Sequence, residues 1–211
     1  GLIAQMGGLA EVAIQGAMTA LVRHDSEAAQ RVVEDDRKID ALEAQVDQLA
    51  VQIIALRAPM ADDLREVVAA LKISGVVERI GDYAKNIAKR SAAVEGRSRI
   101  EPLTLLPAMS EIAAAMVHDV LDAYAARDAE KASAVIARDQ KVDNFYDSIF
   151  RNLVSHMMEN PTTISSAAQL LFVAKNLERI GDHATNIAEM VHYAATGTHP
   201  AERERGTGGP A

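Results

Sequence analysis

The sequence contains no cysteine, which excludes disulfides, thiolate zinc sites and iron–sulfur ligation within this chain. A cysteine-free chain fits a reducing cytoplasm. Tryptophan is absent, aromatic residues make up only 3%, and glycine and proline are few. The apolar content is therefore mostly Ala, Leu, Val and Ile, a mixture that favours close-packed helices over a β-sandwich. No apolar run reaches the length of a transmembrane helix, and no signal-peptide pattern is present. A basic surplus is missing too. The net charge is −8, so a nucleic-acid partner is not expected, and an acidic surface instead recruits cations or basic partner patches. There is no P-loop or other glycine-rich phosphate cradle, and no nucleophile–base pair at helical spacing.

What is present is repetition. The chain has 211 residues, 49% of them hydrophobic, enough for one large domain or two small ones that share a core. Residues 78–88 read ERIGDYAKNIA and residues 178–188 read ERIGDHATNIA, with nine of eleven positions identical. Upstream, DRKID at 36–40 matches DQKVD at 139–143, and Asp25-Ser26-Glu27 matches Asp128-Ala129-Glu130. The matches run in the same order, so whole helices are duplicated rather than one motif.

Each copy reads as three helices. The first covers about 2–23, with Leu2, Met6, Leu9, Ala13 and Ala17 at helical spacing. Asp25 or Ser26 caps a second helix that runs to about Leu56, with Ile39, Leu42, Val46, Leu49, Ile53 and Leu56 on one stripe. Pro59 stands where a first helical residue would be, and a third helix runs from there to about Val94. In the second copy, helices are expected over about 107–126, from the Asp128 cap to the Asn160-Pro161 turn, and on to about Ala195. The fold expected is all-α: two pseudo-symmetric antiparallel three-helix bundles, six helices in all. The first repeat is assigned to 1–95, the second to 101–196, and a disordered tail to 197–211. The segment 95–106 links the repeats.

The carboxylates fall into a pattern. On the second helix Asp36 and Asp40 are four apart and share a face; on the third, Glu78 and Asp82 do the same, and Asn86 extends that stripe. Fold these two helices into an antiparallel hairpin about Pro59. Asp40 and Glu78 are then equidistant from the turn, as are Asp36 and Asp82. In the second copy, Asp143 with Glu178, and Asp139 with Asp182, are equidistant from the Asn160–Pro161 bond. Both hairpins thus level four carboxylates. Like charges four apart on one helix cost about 0.2–0.5 kcal/mol per pair, and convergence should raise some of the pKa values. A bound cation removes that penalty, and oxygen-only donors suit hard ions such as Mg²⁺, Ca²⁺, Mn²⁺ or ferric iron. The cation should stabilise the fold, and the effect should shrink as pH falls toward the carboxylate range of about 4. The helical phase of Ile80, Tyr83 and Ile87 puts the carboxylates on a face or groove edge, outside the core.

Other features read more plainly. A single D-x-x-x-D is ordinarily a solvated helix face; repetition and levelling set these apart. Gly81 and Gly181, with Ala84, Ala88, Ala184 and Ala188, form a small-residue strip that close helix packing explains. Arg79 and Arg179 read as exposed or ion-paired. The six histidines show no repeated placement and read as surface or interface residues.

At the two ERIGD segments the chain resembles the PhoU family of bacterial phosphate-transport regulators. The matching residues are ERIGDYAKNIAKR at 78–90, ERIGDHATNIA at 178–188, ALRAPMADDLRE at 55–66 and the paired D-x-x-x-D at 36–40 and 139–143. The resemblance covers essentially residues 1–195. It implies two three-helix bundles with carboxylate-bound metal clusters: Asp36, Asp40, Glu78 and Asp82 in one, Asp139, Asp143, Glu178 and Asp182 in the other, holding Mg, Mn, Fe or Zn. It implies a role without catalysis, as a negative regulator that couples the ATPase subunit of the phosphate-specific ABC transporter to a phosphate-sensing histidine kinase. The phosphate-starvation response is then kept off when phosphate is plentiful. It implies a cytoplasmic location peripheral to the inner-membrane transporter complex, and association as a homodimer is a further expectation. Family members usually carry more residues before the first helix, so the start at Gly1 looks truncated. Arg127 and Ala137 stand where the first copy has His24 and Glu34, so the outer ligands of the second cluster are expected to differ.

Two other functions compete for the same residues. A ferritin-like di-iron oxidase needs a Glu-x-x-His on each of two helices; the chain has Glu189 to His192, but its counterpart is Lys89 to Ala92. A metal-free helical adaptor would use the acidic stripes only to dock on basic partner surfaces.

Overall fold

The computed structural model describes residues 1–91, 94 and 104–198. Among these there are six α-helices and no strand: α1 (Leu2–Arg23), α2 (Ser26–Arg57), α3 (Asp62–Ser91), α4 (Leu105–Ala126), α5 (Ala129–Glu159) and α6 (Ile164–Thr196). One 3₁₀ turn, Pro161–Thr163, precedes α6. The expected helices are all present.

The corners are built the same way twice. α1 ends at His24 and α4 at Arg127, both left-handed at φ 52° and 54°. The next amide, of Asp25 or Asp128, reaches back to Ala20 O or Ala123 O at 3.0 and 2.9 Å. These bonds satisfy carbonyls that a helix end would leave orphaned. The same two aspartates then start the next helix. Asp25 Oδ1 accepts from Ala28 N, and Asp128 Oδ1 from Lys131 N, each at 2.9 Å.

The hairpin turns differ. Pro161 opens its 3₁₀ turn as a first helical residue should. Pro59 does not open α3, which begins at Asp62. Ala58 and Ala61 on either side of it take positive φ, 43° and 46°, and the four residues 58–61 make the reversal. α4 begins at Leu105, with Pro107 inside its first turn, and α3 stops at Ser91. Most of the 95–106 linker, and the tail from 199 on, lie outside the described residues.

α1, α2 and α3 pack on one another, as do α4, α5 and α6, and the repeats join through α1 against α4 and α3 against α6. One apolar core runs through both, from Met6, Ile14 and Leu21 to Ile149, Leu153 and Leu177. At the α1–α4 contact, a Cβ on Gly7 would lie 2.2 Å from Leu121 Cδ1, so glycine permits that close approach. α2 has 32 residues against 22 in α1, about 15 Å more helix at 1.5 Å per residue. Its far end consequently has nothing of α1 to pack on. The expected stripe holds at Ile39 and Val46, but Leu49 is 47% exposed and Leu56 75%. The α2–α3 hairpin overhangs the bundle.

Candidate metal clusters

In the first hairpin, levelling brings Asp36 of α2 beside Asp82 of α3. Both carboxylates hold the ammonium of Lys85, which lies 2.5 Å from Asp36 Oδ2 and also contacts Asp82 Oδ1. Asp40 and Glu78 lie one turn nearer the hairpin tip. Burial, then the charges of Asp82, Glu43, Asp40 and Asp36, pushes Glu78 up to about 7. Burial and the Asp36 charge raise Asp40 as well. Glu78 therefore feels the charges of the other three carboxylates.

The expectation that they lie outside the core fails for one residue in each cluster. Asp36 and Asp139 are each only 5% exposed. The phase of Ile80, Tyr83 and Ile87 reports on α3 alone. On α2, Asp36 shares the buried stripe of Val32, Ile39 and Val46, and it turns inward over Gly81. A Cβ there would meet Ile39 Cδ1 at 2.7 Å and Asp36 Oδ1 at 3.4 Å. Gly181 seats Asp139 in the same way, with Oδ1 at 3.2 Å from the Cβ position. The small-residue strip thus does more than pack helices: it makes room for a carboxylate.

The second cluster places Asp139 and Asp143 on α5 across from Glu178 and Asp182 on α6. Glu178 is raised by burial and by the Asp182 and Asp143 charges, with Lys175 opposing. The Lys175 ammonium lies 2.7 Å from Glu178 Oε1, while Glu178 Oε2 is shielded from solvent with no hydrogen-bond donor.

Sequence reasoning missed Glu43, whose pKa is also raised, by burial and then by Asp47 and Asp40. Its signal was available: Glu43 and Gly75 are equidistant from Pro59, and Glu43 Oε1 lies 3.3 Å from where a Gly75 Cβ would be. The seam between repeats was missed as well. Tyr83 and His183 meet edge to face there, with ring centroids 5.2 Å apart. The Arg179 guanidinium lies 5.8 Å from the Tyr83 centroid. Burial and then the Arg79 charge lower the His183 pKa, with Asp182 opposing and Arg179 reinforcing. Glu189 and His192 lie toward the far end of α6, where His192 Nδ1 is 3.0 Å from Thr198 O. They are two to three turns beyond Asp182 and add no ligand to the cluster.

The donors fit a hard cation: oxygen only, mutually repelling, with one buried oxygen of Glu178 lacking a donor. Among the described residues no three His, Asp or Glu side chains form a ready-made cage. In each cluster the carboxylates come from the two helices of one hairpin, with Asp36 or Asp139 buried between them.

The family model for the PhoU domain matches residues 3–91 and 106–191. The chain belongs to the PhoU family. A phosphate-specific transport system accessory protein PhoU homolog of Zymomonas mobilis is 54% identical over 205 residues, covering 97% of this chain and 86% of that protein. One from Rhizobium meliloti is 46% identical over 199 residues, covering 94% and 84%. Among solved structures, PhoU from Pseudomonas aeruginosa superposes with a TM-score of 0.90 at 39% identity, covering 93% of this chain and 95% of that one. The phosphate transport system regulatory protein PhoU from Streptococcus pneumoniae gives a TM-score of 0.86 at 25% identity, with 94% of each chain covered. The PhoU architecture that the resemblance implied is the one found.

Proposed function

We propose that this chain is a metal-binding regulator of phosphate homeostasis. It acts as the accessory protein of a phosphate-specific transport system, meeting the ATPase subunit of the transporter and a phosphate-sensing histidine kinase at the cytoplasmic face. It represses the phosphate-starvation response when phosphate is plentiful, and it works by binding, without turnover. Family membership at 54% identity to an accessory protein supports the regulatory role. Among the described residues no helix is long and apolar enough to cross a membrane, consistent with a peripheral location.

The observation that carries the metal reading is the doubled cluster of carboxylates, with one member of each, Asp36 or Asp139, seated over a glycine. Asp36, Asp40, Glu78 and Asp82 would hold one site; Asp139, Asp143, Glu178 and Asp182 the other. A bound cation would supply charge neutralisation, replacing carboxylate repulsion with attraction across each groove. The protein's own part is to hold α2 against α3, and α5 against α6, at the right level. Deleting the gene should switch on phosphate-starvation genes in phosphate-rich medium; unchanged expression would sink the regulatory reading.

The metal-free adaptor is the second reading, favoured by Lys85, which already neutralises part of the first cluster. Elemental analysis of protein never exposed to a chelator separates the two. Wild type should carry metal that Glu78→Ala/Asp82→Ala and Glu178→Ala/Asp182→Ala progressively lose.

A further inference from the structure

The seam between α3 and α6 has two ends, and duplication makes each the equivalent of the other. At one, the last turns of α3 lie beside the first turns of α6; at the other, the first turns of α3 lie beside the last turns of α6. Positions on the two helices correspond at the spacing set by the motif that recurs at 78–88 and 178–188.

The first end is bridged by its own side chains. The Arg90 guanidinium lies 4.3 Å from the centroid of the Phe172 ring, and Arg90 Nη1 donates to Gln169 Oε1 at 2.6 Å. At the second end the places of Arg90, Phe172 and Gln169 fall to Met190, Lys72 and Ala69. The ring, the guanidinium that caps it and the amide are all lost. A cleft of about 610 Å³ opens there, with Leu64, Val68 and Met190 as apolar walls and Arg65 and Lys72 as cations. This is the size and lining of a small-molecule site.

The charges set the sign of the occupant. Arg65 is already tied to Asp62, 2.5 Å from its Oδ1, and the shielded Nε of Arg65 has no acceptor. Lys72 forms no ion pair among the described residues. Glu189 is the one acid on the wall. A ring placed where the other end has Phe172 would pack on the Met190 thioether, a favourable sulfur–aromatic contact, and an anionic group on that ring would meet the Lys72 ammonium.

We infer that this cleft binds a small aromatic anion, its ring between Val68 and Met190 and its charge at Lys72. The occupant touches both repeats. It completes at one end of the seam what Arg90, Phe172 and Gln169 complete at the other.

The test is fluorescence titration of the full chain with anilinonaphthalene sulfonate, beside phenylnaphthylamine, which has the same rings without the charge. Wild type should bind both dyes saturably. Lys72→Gln should weaken the sulfonate about fivefold, the weight of one exposed ion pair, and leave the uncharged dye unchanged. Glu189→Gln should tighten the sulfonate alone. The triple variant Ala69→Gln/Lys72→Phe/Met190→Arg installs the bridge of the opposite end; it should keep the wild-type circular dichroism and lose both dyes. If it does not fold, Val68→Trp, at a position 38% exposed, fills the cleft and should have the same effect. A folded, filled variant that binds both dyes as wild type does would show that the cleft is not the site. Sulfonate binding indifferent to Lys72→Gln would overturn the assignment of an anion, and no saturable binding by wild type would overturn the inference whole.

Discussion

Tyr83 and His183, the same position in two copies of one motif, touch each other edge to face at 5.2 Å. Duplicated residues meet in this way only where a pseudo-two-fold axis passes between them. The axis runs through the α3–α6 seam, so the carboxylate grooves lie on either side of one shared contact.

Metal should raise the melting point. Ligand that binds only the folded chain adds about 2.7 kcal/mol at a hundredfold excess over Kd. Scanning calorimetry with Mn²⁺ or Mg²⁺ near neutral pH should show the rise. Glu78→Ala/Asp82→Ala should reduce it, and adding Glu178→Ala/Asp182→Ala should remove most of the rest. A quadruple variant that responds as wild type does would show that these carboxylates are not the site.

Without metal, acid should help rather than harm. Glu78 has a folded pKa of about 7 against an ordinary 4.5, so the folded chain holds a proton the unfolded chain releases. That contribution is complete below the ordinary value and is lost as pH rises through about 7. Asp40, Glu43 and Glu178 are shifted in the same direction. Chelated protein should therefore melt lower at about pH 8 than at about pH 5.5, and Glu78→Gln should flatten that slope. With saturating metal the slope should reverse, since ligands must lose protons to bind. Loss of metal from the first cluster on acidification should begin near 7, where Glu78 takes up its proton.

Glycine-to-alanine changes should have opposite signs at two positions. Gly8 has open space where a Cβ would go, and alanine there should stabilise α1 by up to about 1 kcal/mol. At Gly81 the Cβ would press on Ile39 Cδ1 at 2.7 Å. Overpacking of about 1–3 kcal/mol should outweigh the helix-propensity gain and push Asp36 away from Asp82. Urea melts of both variants, with an Mn²⁺ titration of Gly81→Ala, check this.

The corner aspartates should contribute independently. Asp25→Ala and Asp128→Ala should each cost about 1 kcal/mol. They cap different helices in different repeats, so the double variant should lose close to the sum. A double-mutant cycle with a large coupling energy would mean that the corners communicate.

The N-caps were legible because a cap is local: an aspartate, a following acidic residue and a helical run suffice. Levelling was legible because antiparallel hairpins convert sequence separation into height. Burial of Asp36 was not legible from the phase of α3 alone; the stripe of Val32, Ile39 and Val46 on α2 and the glycine at Gly81 both carry it. The start of α3 at Asp62 depends on positive φ at Ala58 and Ala61, which alanine does not advertise. The Tyr83–His183 contact and the two Lys85 pairs join distant parts of the chain, or side chains whose direction no spacing rule reports. Their trace in the sequence was the two mismatches within an otherwise repeated motif.

The apolar interior is one continuous cluster that reaches from one repeat into the other. Neither copy has a private core to fall back on. Heat should find one block and give a single sharp transition. A weakness introduced into either copy then becomes a debt of the whole, and a cation held by one cluster would steady the opposite side of the molecule as well.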